Sequence, residues 1–306
     1  MPIFELKAVM IETVGLVGVG TMGEPMGESL LRAGFALHVC AHRNRARVER
    51  LVALGAKDHA SPADVAAACQ LTITMVPDAP QVEEAIFGPH GIIGGARRGS
   101  IVVDMSTISP VASRTFHERA AQSGLQMLDA PVSGGPARAA TGQLTIMAGG
   151  DQATYEQAQR VLRAMGSPTH VGPAGMGETF KLVNQIIISN IMIADIEGLI
   201  FAKKAGADIA LLRRVLATAT ASNYLLDTWL PKAWFEDRHH GGFALDLLRK
   251  DLRAALEAGQ AMGAPMFSSA LSYDLYNQAS THGRGRDDYS AVADVYEQAA
   301  GAKVVE

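Results

Sequence analysis

Cysteine is scarce. The 306 residues hold two, Cys40 and Cys69, both inside apolar stretches, which excludes a disulfide framework and a cysteine-based zinc site. An excess of positive charge is missing too: 27 Lys and Arg stand against 31 Asp and Glu, a net charge of −4, so there is no general basic footprint for nucleic acid. The amino end, Met1-Pro-Ile-Phe-Glu-Leu-Lys7, lacks the basic-then-apolar layout of a secretory signal, and a cytoplasmic location is expected. Long apolar runs are absent as well. The most apolar stretch, 176–204, is interrupted by Asn184, Ser189, Asn190, Asp195 and Glu197, short of the roughly 18 residues a membrane span requires. His, Cys and acidic residues show no ligand spacing, and the adjacent His239 and His240 cannot share a helix face, so no metal is expected. What remains is a chain of about two domains with the profile of a soluble enzyme.

Glycine is plentiful, with 31 residues, and its placement is informative. Val14-Gly-Leu-Val-Gly-Val-Gly-Thr-Met-Gly23 reads as a buried strand running into Gly18-x-Gly20-x-x-Gly23 and a helix from about Met22. In such a turn the first glycine makes the bend, the second admits a pyrophosphate to the backbone, and the third lets helix and strand pack closely. Phosphates then sit at the positive end of the helix. The loop Gly18, Val19, Gly20, Thr21, Met22 and Gly23 is therefore the candidate dinucleotide cradle.

From residue 14 to about 172, strand-like runs at 14–19, 36–41, 71–76, 101–105, 126–129 and 144–148 alternate with helical patterns at 45–54, 62–68 and 109–122. This alternation predicts a doubly wound, largely parallel α/β sheet of Rossmann type. The turn-rich segment 166–177 reads as a boundary, giving a dinucleotide-binding domain over 1–174 and an all-α domain over 175–306. The second begins with one long interdomain helix at 176–204, followed by helical patterns at 209–218, 245–261 and 290–300.

Several loops follow strands at the carboxyl edge, where ligands lie in doubly wound sheets. Met75, Val76 and Pro77 form one, although a plain strand exit would look the same. Thr107 is placed to hydrogen-bond ribose or nicotinamide, since Ser109 is the better N-cap for the helix that follows. Ser133-Gly134-Gly135 offers exposed N–H groups, a nest for a carboxylate. Lys181 stands in the first turns of the long helix, with Asn184 and Gln185 on the same face at i+3 and i+4. Burial and the positive helix end would both favour its neutral form, as a general acid and base near neutral pH requires.

Six motifs in order carry a resemblance to a known family. They are Gly18-Val-Gly-Thr-Met-Gly-Glu-Pro-Met26, Thr74-Met-Val-Pro-Asp78, Asp104-Met-Ser-Thr-Ile-Ser-Pro110, Asp129-Ala-Pro-Val-Ser-Gly-Gly135, Lys181-Leu-Val-Asn-Gln185 and Arg249-Lys-Asp-Leu252. Together they resemble the β-hydroxyacid dehydrogenases, the family of 3-hydroxyisobutyrate dehydrogenase and tartronate semialdehyde (2-hydroxy-3-oxopropionate) reductase. The resemblance implies NAD(P)-dependent interconversion of a short 3-hydroxy acid and its semialdehyde. It makes Lys181 the acid–base residue, Ser133–Gly135 the holder of the substrate carboxylate, and Lys250 a group that reaches the cofactor. Either Asn184 or Gln185 would touch the substrate. It also implies a homodimer or homotetramer, and no nucleic-acid or membrane partner is expected.

An NAD-selecting fold places an acid at the end of the second strand. Here His42, Arg43 and Asn44 occupy that place, no acid occurs between Gly34 and Glu49, and Arg43, Arg45 and Arg47 form a basic cluster. This favours NADP, with NAD use also expected. Four-carbon acids of threonate or 4-hydroxybutyrate type are the next substrates. Imine reduction on the same fold would replace the lysine by Asp or Tyr, and a non-catalytic binding module would lose it; Lys181 is present. The arginines of 283–290 would suit a larger anionic substrate.

Overall fold

A computed structural model describes residues 10–42 and 45–305, and the chain divides into two compact units between Lys181 and Leu182. In the first, β1 (Thr13–Val17), α1 (Gly23–Arg32), β2 (Ala36–Cys40), α2 (Arg45–Ala53), β3 (Lys57–His59), α3 (Pro62–Ala68), β4 (Leu71–Thr74), α4 (Ala79–Phe87), β5 (Ile101–Asp104), α5 (Pro110–Gln122) and β6 (Gln126–Asp129) alternate as expected. Then come β7 (Val132–Ser133), α6 (Gly135–Ala140), β8 (Leu144–Gly150), α7 (Gln152–Met165) and β9 (Gly166–Gly172). Among the described residues these strands make one sheet in the order β3-β2-β1-β4-β5-β6-β8-β7, with β9 beside β8. Pairs from β3 to β6 are parallel; β8 runs antiparallel to β6 and β7. The order reverses direction between β1 and β4, which opens a crevice at their carboxyl ends.

Side-chain alternation along the strands explains the two layers of helix. Val14, Leu16, Ile73, Ile101 and Val103 face one core with Met26 and Leu30 of α1, Leu51 of α2 and Val161 of α7. Val17 and Val102 face the other, with Val65 of α3, Val82 and Ile86 of α4 and Phe116 of α5. The cysteines belong to this second core, where burial pushes the Cys40 thiol up to about 11 and Cys69 to about 12. Residues 166–172, expected as part of a turn-rich boundary, form the edge strand β9 instead. An edge position tolerates Pro168, because no ladder N–H is required on its outer side.

The division between units falls inside α8 (Met176–Lys204). By length and composition α8 is apolar enough to cross a membrane, with a hydropathy of 1.6 over 18 residues. Met192, Ile193, Ile196, Leu199 and Ile200 instead pack in the core of the second unit, with Leu225, Trp234, Leu248, Leu252 and Tyr276. That unit continues with α9 (Ile209–Leu216), α10 (Leu245–Met262), α11 (Phe267–Ala279) and α12 (Ala293–Ala300). Two π-helical segments, Leu225–Trp229 and Pro231–Glu236, precede α10.

Candidate active site

Gly18 leaves β1 with φ +103°, and a β-carbon there would collide with the Met75 carbonyl at the end of β4. A β-carbon on Gly23 would collide with the Gly18 carbonyl, so helix and strand meet at backbone distance. At Gly20 an added β-carbon meets nothing within 4 Å, and Gly20 and Thr21 are exposed. Val19 turns its side chain into the core, and Met22 caps α1 without any side-chain hydrogen bond. A helix N-terminus left uncapped beside an open glycine fits a pyrophosphate, which would accept from its N–H groups.

Other strand ends bring further candidates to this edge. Met75, Val76 and Pro77 follow β4, Thr107 follows β5, and Ser133 to Gly135 spans the end of β7 and the start of α6. Ser109 caps α5, its Oγ accepting from Val111 N at 3.2 Å, as expected from its place before Pro110. A buried network fixes the first two loops. Asp104, at the end of β5, accepts from Thr74 Oγ1 at 2.8 Å and from Ser106 N at 3.1 Å. Ser106 Oγ in turn accepts from Val76 N at 3.0 Å. Burial pushes the Asp104 carboxyl above its ordinary value, against these hydrogen bonds.

Lys181 is 8% exposed, in the second turn of α8. The preceding turn is tied to the strand ends by Asp129 and Glu178, two buried acids to which the sequence assigned no role. On the other side of the division, Asn184 donates to Gln185 Oε1 at 2.9 Å, and Gln185 Nε2 donates to Asp251 Oδ2 at 2.7 Å. Lys250 Nζ lies 2.8 Å from Asp251 Oδ1. Asp251 thus joins three expected residues, Asn184, Gln185 and Lys250, into one chain of contacts.

Residues 13–177 match the family profile described as the NAD binding domain of 6-phosphogluconate dehydrogenase. Residues 175–296 match that described as NAD-binding of NADP-dependent 3-hydroxyisobutyrate dehydrogenase. The 2-hydroxy-3-oxopropionate reductase of Escherichia coli is 37% identical over 292 residues, 95% of this chain and 99% of that protein. The chain belongs to the 3-hydroxyisobutyrate dehydrogenase family. Another relative, the 2-(hydroxymethyl)glutarate dehydrogenase of Eubacterium barkeri, is 35% identical, covering 95% of this chain and 97% of its own. The structure of Mycobacterium tuberculosis 3-hydroxyisobutyrate dehydrogenase with L-serine superposes with a TM-score of 0.86 at 30% identity, over 94% of this chain and 99% of that one.

In this member of the 3-hydroxyisobutyrate dehydrogenase family, the charges near the second strand are arranged differently from a free basic cluster. Arg43 and Asn44 lie outside the described residues, and His42 is exposed beyond β2. Arg45 pairs with Asp58 of β3 and with Glu49 at 3.7 Å. Arg47 and Arg50 both bind Glu24, in the first turn of α1, and hold its carboxyl below the usual range. Of the two arginines in 283–290, Arg284 is paired with Asp287, at 2.9 Å, and with Asp294. Among the described residues no group of three or more His, Cys, Asp or Glu is placed to hold a metal ion.

Proposed function

We propose that this enzyme reduces 2-hydroxy-3-oxopropionate, or oxidises a short 3-hydroxy acid of the glycerate type, with NADP preferred over NAD. One observation carries the reading: a lysine only 8% exposed stands one turn into a helix whose start is pinned to the sheet edge that bears the glycine loop. Lysine is rarely buried, and acid–base chemistry at a carbinol oxygen is a role that calls for one in such a place.

Bound nicotinamide supplies the hydride donor or acceptor. Lys181 Nζ gives a proton to the substrate oxygen during reduction and takes it back during oxidation. The N–H groups of Ser133–Gly135 hold the substrate carboxylate, while Asn184 orients the carbinol. Gln185, Asp251 and Lys250 keep that amide in place. The NADP preference rests on His42 and Arg43, where an NAD enzyme would carry an acid. Arg45 and Arg47 contribute less, being already paired. Self-association would cover the exposed Phe201, Leu211, Val215 and Phe267.

The test is nicotinamide absorbance during oxidation of a panel of three- and four-carbon hydroxy acids with NAD⁺ and with NADP⁺. Wild type should turn over glycerate faster than threonate or 4-hydroxybutyrate, and Lys181→Ala should lose about 10³-fold or more in kcat. Retained turnover in the variant would remove Lys181 from the chemistry.

A further inference from the structure

Asp129 ends β6 with no exposed surface, and both its oxygens accept from the backbone at the start of α8. Gly175 N donates to Oδ1 at 2.8 Å and Glu178 N to Oδ2 at 3.0 Å. His117 Nε2, from α5, lies 3.0 Å from Oδ1 as a third partner. A buried carboxylate is costly without such partners. Here it also faces the positive end of a long helix.

Local sequence offers no substitute for this cap. The residues before α8 are Pro173, Ala174 and Gly175, none with a side-chain oxygen, so the cap comes from 46 residues away. The turn lies on the sheet at backbone contact. A β-carbon on Gly149 would be 2.7 Å from Gly177 N, and one on Gly177 would collide with the carbonyls of Asp129 and Met147. Glu178, wholly buried, makes a second tie: its Oε2 accepts from Ile108 N, beside Thr107, at 3.1 Å. Lys181 follows Glu178 by three residues, so this turn sets both its height and its direction on the helix.

We propose that Asp129 and Glu178 are positioning residues for Lys181, fixing the first turn of α8 to the ends of β6 and β5. The proposal rests on the acid–base role of Lys181. Asp129 has a further consequence, because it stands four residues before Ser133, where the Ser133–Gly135 segment begins. The side chain that holds the lysine helix thereby belongs to the strand that leads towards the proposed carboxylate nest.

Asp129→Asn is the discriminating variant, since an amide accepts from one of the two N–H groups and presents its own N–H₂ to the other. A misplacement of about 1 Å can lower the rate about 10²-fold. We expect a loss of that order in kcat, KM for the hydroxy acid within about threefold, and unchanged stabilisation by the cofactor. Amide hydrogen exchange should rise in 174–182 and stay as in wild type elsewhere. Glu178→Gln, which still accepts from Ile108 N, should keep turnover within about threefold, whereas Glu178→Leu should lose it as Asp129→Asn does. Wild-type kcat in Asp129→Asn, or unchanged exchange in 174–182, would overturn the proposal. Turnover retained in Lys181→Ala would overturn the acid–base reading and the kinetic half with it. The exchange result would still decide whether the two carboxylates hold the turn.

Discussion

Asn184 and Gln185 are neighbours in sequence, yet their amides have different surroundings. Gln185 is 1% exposed and uses both ends of its amide, accepting from Asn184 and donating to Asp251. Asn184 is only partly buried and keeps its carbonyl oxygen outside that chain. Asn184→Ala should therefore lower kcat/KM for the hydroxy acid about 10-fold or more with little change in thermal stability. Gln185→Leu should lose roughly 1–3 kcal/mol of stability, because it takes a hydrogen-bond donor from the buried Asp251. Steady-state kinetics and denaturation of both variants give the check, and the reversed pattern would reassign the contact. Helical spacing put both amides on the face of Lys181, but it could not separate them. The deciding partner lies 66 residues from Gln185, at a distance that only the folded chain shortens. Asp129 and Glu178 were illegible for the same reason, their partners being 46 and 70 residues away.

At the scale of elements, legibility followed burial. Strands β1, β4 and β5 are apolar and almost wholly buried, so their composition announced them. β3 reads Lys-Asp-His, and β9 carries glycine and proline; neither has a fully buried residue, and pairing rather than composition makes the strand. The loop before α10 was also opaque. Arg238 and His239 adopt φ of 51° and 69°, the only non-glycine residues described with positive φ. His239 is held by Ser290 Oγ, 2.9 Å from Nδ1, and its carbonyl accepts from Asp288 N at 2.8 Å. Burial pushes the imidazole down to about 4, helped by Arg284 and His240 and opposed by Asp294 and Asp287. The unfolded chain therefore takes up a proton near pH 6.5 that the folded one refuses until about pH 4. Stability is full above the first value and falls as pH drops towards the second, by roughly 3 kcal/mol in all. Urea denaturation at intervals from pH 7.5 to 4 should show this slope in wild type and a shallower one in His239→Gln. Equal slopes would mean that the ring titrates normally.

For the whole molecule, strand–helix alternation revealed a doubly wound sheet, and the order around β1 and β4 accounts for the place of the glycine loop. The crevice opens at the reversal, Gly18 borders Met75 there, and Gly20 faces open space. Cofactor binding must then stabilise the fold by mass action, by about 2.7 kcal/mol when ligand is present at 100 times its Kd. In a protein of this size that corresponds to a rise in Tm of roughly 4 °C. The proposed preference rests on charge at the end of β2, so at equal concentration NADPH should raise Tm more than NADH does. Arg43→Ala should bring the two shifts together. Gly20→Leu has room to fold, since nothing lies within 4 Å of its β-carbon, but its side chain would occupy the pyrophosphate approach and both shifts should vanish. A larger shift with NADH would reverse the proposed preference. Wild-type shifts in Gly20→Leu would move the cofactor away from this loop altogether.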